Sequence, residues 1–354
     1  MENALLLFLF FTYTFLLGFL LHKYLINRSR TYNLHKANIS GERWERQSKP
    51  IFGGITFFSL FIFGLINYVI FFPVDILITG ESIAIILVVT ISFLMGLADD
   101  LLNTSPLFKF GMQLGAALLL IYFGIYINIF SDDTLNYLLT ILWVVGIMNS
   151  INMLDNMDAI TTPSGLFILL FIGLLIGVNT PGDMWFYLTI LISIYASMGS
   201  FLIFNWHPSK MYMGDNGSQF LGAVLAVLSI MFIWNQPITP SPHTGLFKLA
   251  SVVIAFTMPL TDTVTVSINR LLKGKSPFVG GKDHTTHHLS YAGLSDHMVA
   301  WVFITGSLIS VTLAFVLTVY FPDASLSTLA LFLAWPAVIF VTLYSLTRIV
   351  KPNK

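Results

Sequence analysis

Four short polar clusters interrupt an otherwise apolar sequence, and each carries residue types that can do chemistry. The first reads Leu97-Ala98-Asp99-Asp100-Leu101-Leu102-Asn103, with Lys109 shortly after. Adjacent residues on a helix point about 100° apart, so Asp99 and Asp100 are expected to do different work. Asn103, four residues beyond Asp99, shares its face. The second cluster, residues 149–158, spaces Asn152, Asp155 and Asp158 by three, which makes them neighbouring oxygen ligands for a hard cation such as Mg²⁺. The third, residues 205–218, ends in Gly214-Asp215-Asn216-Gly217-Ser218 where an apolar run begins. Its glycines permit close backbone approach, a helix start favours phosphate, and Asp215 can hold a cation. The fourth, residues 280–288, gathers Lys282, Asp283, His284, His287 and His288 behind two glycines.

Each cluster also has a plainer account. Asp99 and Asp100 fit a solvated helix end, and the Asn152 series fits hydrogen bonding between helices. The glycine-rich run fits an ordinary capping turn, and the histidine cluster fits a polar surface loop. Zinc is disfavoured, because His284 and His287 lie three apart in a chain with no cysteine, and no glutamate is near. Histidine and lysine suit hydrogen bonds to phosphate oxygens better. Tyr212, two residues before Gly214, can stack on a flat base, although aromatics are common at membrane interfaces without any ligand. His22, His35, His207, His243 and His297 receive no role.

The elements that position these clusters follow from composition. With 56% apolar and 10% charged residues, the 354-residue chain is too apolar to cover itself with polar surface in water, so an all-α polytopic membrane protein is expected. A bilayer core about 30 Å thick needs roughly 20 apolar residues per span. On that rule about eleven spans fall near residues 3–21, 51–72, 81–98, 107–128, 137–152, 161–178, 185–204, 218–234, 246–268, 297–320 and 327–346, the fifth being the short one. The first run has no basic segment before it and no small-residue cleavage site after it, and reads as a retained span. No repeat is found, and residues 1–354 read as a single membrane-embedded domain. The zero net charge gives no argument for a nucleic-acid partner, and none is expected.

Lysine and arginine set the orientation. Lys23, Arg28, Arg30, Lys36, Arg43, Arg46 and Lys49 all follow the first span, which makes that loop cytoplasmic by the positive-inside rule and places the N-terminus outside. Alternation then gives cytoplasmic loops near residues 22–50, 99–106, 153–160, 205–217 and 269–296 and a cytoplasmic C-terminus. Parity alone therefore brings all four polar clusters to one face of the membrane.

Taken in order, Asp-Asp-x-x-Asn, Asn-x-x-Asn-x-x-Asp-x-x-Asp, Met-Gly-Asp-x-Gly-Ser and a closing His-rich loop resemble the polyprenyl-phosphate N-acetylhexosamine-1-phosphate transferases. These include the undecaprenyl-phosphate N-acetylglucosamine-1-phosphate transferases and the phospho-N-acetylmuramoyl-pentapeptide transferases. Pro50-Ile51-Phe52-Gly53-Gly54 also matches the family's Pro-x-x-Gly-Gly entry motif. The resemblance covers residues from about 23 to about 300.

It implies a Mg²⁺-dependent reaction, with Mn²⁺ as a substitute, at the cytoplasmic face of the plasma membrane. A UDP-amino sugar, of the N-acetylglucosamine type, gives its sugar 1-phosphate to polyprenyl phosphate, and UMP leaves; this starts a lipid-linked cell-surface glycan. The resemblance assigns metal binding to Asp215 and Asn152 and essential acids to Asp99 and Asp100, with Asn103 in support. Asp155 and Asp158 would position the nucleotide, and Tyr212 would lie beside uracil. Lys49, Lys109, Arg270, His284, His287 and His288 are its candidates for phosphate contacts. A homodimer is compatible with it.

Three departures stand out. Asp155-Asn156-Met157-Asp158-Ala159 replaces the common Asp-Gly-x-Asp-Gly, so this turn is expected to differ in shape. The usual His-x-His-His becomes His284-Thr285-Thr286-His287-His288. The loop also lacks the elaboration of the pentapeptide branch, and an eleventh span points the same way, towards the N-acetylglucosamine branch. The rival from another class is an ion-coupled transporter, whose sites tend to lie near the bilayer midplane with internal repeats.

Overall fold

The computed structural model describes residues 2–31, 49–71, 79–179, 184–237, 243–277 and 281–350. These form thirteen α-helices and, among the described residues, no strand. They are α1 (Glu2–Thr31), α2 (Gly53–Phe71), α3 (Gly80–Leu102), α4 (Pro106–Tyr122), α5 (Asp133–Leu154), α6 (Thr161–Asn179) and α7 (Met184–Asn205), then α8 (Gly214–Ser229), α9 (Thr244–Ala255), α10 (Thr257–Leu271), α11 (Thr285–Tyr291), α12 (Asp296–Tyr320) and α13 (Leu326–Ile349). Among the described residues nine helices are long and apolar enough to cross a bilayer, and α9 with α10 adds a bent pair. Large apolar side chains such as Leu142, Leu331 and Val338 remain exposed on helix flanks, as lipid-facing surfaces require. The chain is an all-helical polytopic membrane protein. Lys36, Arg43 and Arg46 lie outside the described residues, as does Gly280 of the fourth cluster.

Three expected spans take a different form. The fifth is not short, since α5 runs for 22 residues; the fourth is, because α4 stops at Tyr122 after 17. Residues 125–130 are mostly apolar, with Asn128 among them, yet their backbone finds partners outside a helix. Ile127 N–H donates to the Thr140 hydroxyl at 2.8 Å, and Ile129 and Phe130 N–H donate to the Asn136 amide oxygen at 3.1 and 2.9 Å. Asn136 and Thr140 are fully buried, so α5 supplies the hydrogen bonds that would otherwise compel a helix there. The ninth expected span bends by 85° between α9 and α10. Pro259, in the first turn of α10, has no N–H to offer the preceding turn, so a continuous helix would lose a bond there. The Thr257 hydroxyl donates to the Ile254 carbonyl at 2.7 Å and satisfies one of the freed acceptors.

Helix α8 is the centre of the bundle. Nearly every residue of the stretch from Gly214 to Trp234, which ends in a single π turn, is buried, and α2, α3 and α5 pack around it. Its N-terminus comes very close to its neighbours. A β-carbon at Gly54 would strike Asn216 and Gly217, and one at Gly96 would strike the backbone of Asp215 and Asn216. The Pro-x-x-Gly-Gly segment braces the same end: Gly53 and Gly54 N–H donate to the carbonyls of Tyr212 and Met213, and Tyr212 N–H donates to that of Pro50.

Candidate active site

The start of α8 is the point on which the acidic residues converge. Gly214 holds φ +81°, where a β-carbon would collide with Ile51, and this turn exposes the first N–H groups of α8. Asp100 accepts all it can there: Asp215 N–H at 3.0 Å, Asn216 N–H at 2.9 Å and the Asn216 side-chain amide. A carboxylate at a helix N-terminus is favoured both as a cap and by the helix dipole. Asp99 points elsewhere. It takes the Thr104 hydroxyl at 2.6 Å and forms an ion pair with Lys109. The two adjacent acids therefore do divide their work.

Lys109 reaches across from the first turn of α4 and also pairs with Asp215, 2.8 Å from its Oδ2. The other oxygen of Asp215 accepts the Asn152 amide at 2.9 Å, and the same amide donates to Ser218 Oγ at 2.8 Å. Because one of those partners is a carboxylate, the donor must be the Asn152 nitrogen. Asn103 terminates α3 in a left-handed conformation, φ +50°, with its N–H on the Asp99 carbonyl. Asp155 terminates α5; burial, followed by the charge of Asp215, pushes its carboxyl up to about 7. A cavity of about 330 Å³ is lined by Asp99, Asp100, Asn103, Asn152, Asp155, Asp158, Tyr212 and Asp215, together with Ile51, Asn156, Met157, Asn205 and Gly214. All lie at or just beyond helix termini at one end of the bundle, not midway along it.

Asp158 holds the loop that leads into α8. Its carboxylate accepts Ser209 N–H at 3.0 Å and the Ser209 hydroxyl at 2.8 Å, and lies 3.1 Å from His207 Nδ1. Lys49 donates to the Ser209 hydroxyl at 3.1 Å and sits 5.1 Å from the centre of the Tyr212 ring, within cation–π range. Asn205 completes the clamp by accepting Ala159 N–H and donating to the Met211 carbonyl. Ala159 stands at φ +57°, so the turn keeps a glycine-like backbone despite the alanine, at a cost of roughly 1–2 kcal/mol.

The histidine segment stands beside this cavity and does not line it. His284 Nδ1 is 2.8 Å from Asp262, whose other oxygen accepts the N–H and hydroxyl of Thr285 at 2.8 and 2.6 Å. A carboxylate partner keeps the proton on Nδ1 and leaves Nε2 available. Thr286 donates to Asn156, which ties α11 to the cavity wall. His287 packs on His284 with ring centres 5.8 Å apart; burial, then that neighbour, lowers it to about 4. His288 faces away, with Nδ1 2.9 Å from the Val350 carbonyl, and burial lowers it too. Arg270 is buried and spent on Asp283, at 2.9 and 2.6 Å, and on the Pro277 carbonyl at 2.7 Å. Burial alone would raise Asp283, but the Arg270 guanidinium outweighs it and holds the carboxyl below the usual range. Sequence reasoning passed over Asp262, Asn156 and Asn205. Asp262 did carry a signal, as an acid inside an apolar span; the two asparagines carried none that distinguished them from loop residues.

The model of the glycosyl transferase family 4 matches residues 82–233. Over 238 residues the chain is 31% identical to a Bacillus subtilis (strain 168) protein named a probable undecaprenyl-phosphate N-acetylglucosaminyl 1-phosphate transferase, covering 63% of this chain and 62% of that one. Over 229 residues it is 33% identical to the decaprenyl-phosphate N-acetylglucosaminephosphotransferase of Mycobacterium leprae (strain TN), covering 58% and 56%. The matched region thus spans less than two thirds of either relative. A phospho-N-acetylmuramoyl-pentapeptide-transferase of Staphylococcus saprophyticus is 30% identical over 290 residues, 75% of this chain and 84% of its own length.

Proposed function

The chain belongs to glycosyl transferase family 4, and from that membership we propose that it transfers a sugar 1-phosphate from a UDP-amino sugar to a polyprenyl phosphate. The sugar is of the N-acetylglucosamine type, in keeping with the names of two relatives. A lipid phosphate oxygen attacks the sugar-bearing phosphorus of the donor, the bond to the other phosphate breaks, and UMP departs. The product is a lipid-linked sugar diphosphate, made on the cytoplasmic side of the plasma membrane. The observation that carries this reading is the convergence of Asp99, Asn152 and Asp215 on one cavity beside the start of α8, with Lys109 paired to both acids.

The residues suit a divalent metal by the chemistry of their donors. Asp215 and Asp99 offer hard carboxylate oxygens and Asn152 an amide oxygen, and the Lys109 ammonium lies against both acids. Among the described residues no three His, Cys, Asp or Glu side chains form a metal cluster. Asp215 and Asn152 would hold Mg²⁺, which supplies charge neutralisation where two anionic reactants meet.

The remaining residues act around that centre. Lys109 and Lys49 offer charge to phosphate oxygens, and Tyr212 a face to uracil. Asp158 is a positioning residue, because its oxygens hold the loop that bears Tyr212. His284, oriented by Asp262, presents Nε2 to the donor diphosphate. Arg270 and His288 brace the histidine segment. A lipid phosphate monoester is already largely ionised near neutrality, with a second pKa of about 6 by analogy with phosphoserine, so no dedicated base is required.

The test is direct. Purified protein given labelled UDP-N-acetylglucosamine, polyprenyl phosphate and Mg²⁺ should release UMP and a lipid-linked product. No UMP from any of a panel of UDP-sugars would remove this reading.

A further inference from the structure

We infer that Lys109 is a resident counter-cation of the Asp99–Asp215 pair, and that a divalent metal must displace its ammonium to bind. This rests on the metal reading of Asp215 given above. Three observations lead to it. Lys109 Nζ contacts both carboxylates at once, so it already neutralises the Asp215 oxygen that a metal would draw on. The ammonium faces two acid side chains, which together offer hard oxygen donors to a divalent ion. And the side chain can leave without any movement of its helix. One turn further along α4, the buried Gln113 donates to Gln219 of α8 at 3.1 Å and accepts the Asn149 amide of α5 at 2.7 Å. These bonds fix the backbone of α4 relative to α8, and the four-carbon lysine stem above them has rotatable bonds by which its ammonium can swing away.

The consequence is coupling. A metal at Asp215 sets the Lys109 ammonium loose beside the cavity, where an anionic diphosphate is the nearest demand for it. Metal and phosphate ligand then favour each other's binding, and by linkage the coupling is reciprocal. Lys109 also imposes a fixed handicap on metal affinity, since only the displaced state is competent to bind.

Two measurements on the full chain in detergent test this. Free Mn²⁺ is followed by electron paramagnetic resonance with wild type, Lys109→Met, Lys109→Gln and Asp215→Asn, each first shown to be folded by thermal unfolding. Both Lys109 variants should bind Mn²⁺ at least tenfold more tightly than wild type, and Asp215→Asn should lose the site. In parallel, acylation of Lys109 by a water-soluble amine reagent is mapped by mass spectrometry. Mn²⁺ should raise it several-fold in wild type and leave it unchanged in Asp215→Asn. Unchanged or weaker Mn²⁺ binding by both Lys109 variants overturns the displacement, as does labelling that stays level or falls with metal. Wild-type binding by Asp215→Asn overturns the metal reading itself, and the displacement with it.

Discussion

Asp100 on α3 closes the N-terminus of α8 by accepting the backbone N–H of Asp215 at 3.0 Å, so the acid that caps the helix also sets the direction of the proposed metal ligand. The neighbouring Asp99 makes no such bond and faces Lys109 instead.

Asp100→Ala is therefore expected to lower stability through a lost cap. Such caps contribute about 1–2 kcal/mol, and here Asn216 loses partners as well. Thermal unfolding in detergent should show Tm reduced by several degrees, whereas Asp99→Ala should change it less. Equal Tm values for Asp100→Ala and wild type would refute the capping role.

Asp215→Asn should leave the protein folded and reduce turnover by orders of magnitude, because a charge lost beside a metal-assisted transfer can cost several kcal/mol of transition-state stabilisation. EDTA should abolish activity in wild type, and Mg²⁺ should restore it. Near-normal turnover in the variant takes Asp215 out of the site.

Asp262 and His284 should behave as one unit. His284→Ala is expected to raise KM for the UDP-sugar, and Asp262→Asn should do the same by releasing the imidazole from its fixed tautomer. If they act together, the double variant will be no worse than the poorer single one. Fully additive losses would mean that Asp262 serves only the fold.

Topology can be checked cleanly, since the chain has no cysteine. An impermeant maleimide applied to intact spheroplasts should label Asp132→Cys, which is exposed between α4 and α5, and spare Lys273→Cys, which is exposed after α10. The reverse pattern inverts the orientation and moves the cavity to the outside.

Asp158→Ala should raise KM for the UDP-sugar much as Tyr212→Ala does, because both disturb the same loop, while Tyr212→Phe keeps the ring and should stay near wild type. Asp158→Ala with an unchanged KM would detach the loop from nucleotide binding.

The sequence by itself determined the class of protein, an all-helical polytopic membrane protein, and the gathering of acids and amides at one end. These are local or additive properties. An apolar run of sufficient length must span, and each crossing reverses direction, so residues far apart in the chain are sorted to a common face by counting alone. The transferase family was legible for a related reason: order and spacing survive without any knowledge of contacts.

Tertiary structure alone decided which polar atoms meet. Asp99 and Asp100 are indistinguishable as letters, yet packing against Gly54 and Gly96 brings α8 to one of them and Lys109 to the other. Arg270 and His288 looked as fit for phosphate as His284, but Asp283 and the Val350 carbonyl hold them, and neither partner is marked in the sequence. The same holds for residues 125–130, apolar enough to remain helical, which Asn136 and Thr140 draw out of the helix. Side-chain direction and the partner across a helix interface depend on the whole bundle, and no window of sequence contains them.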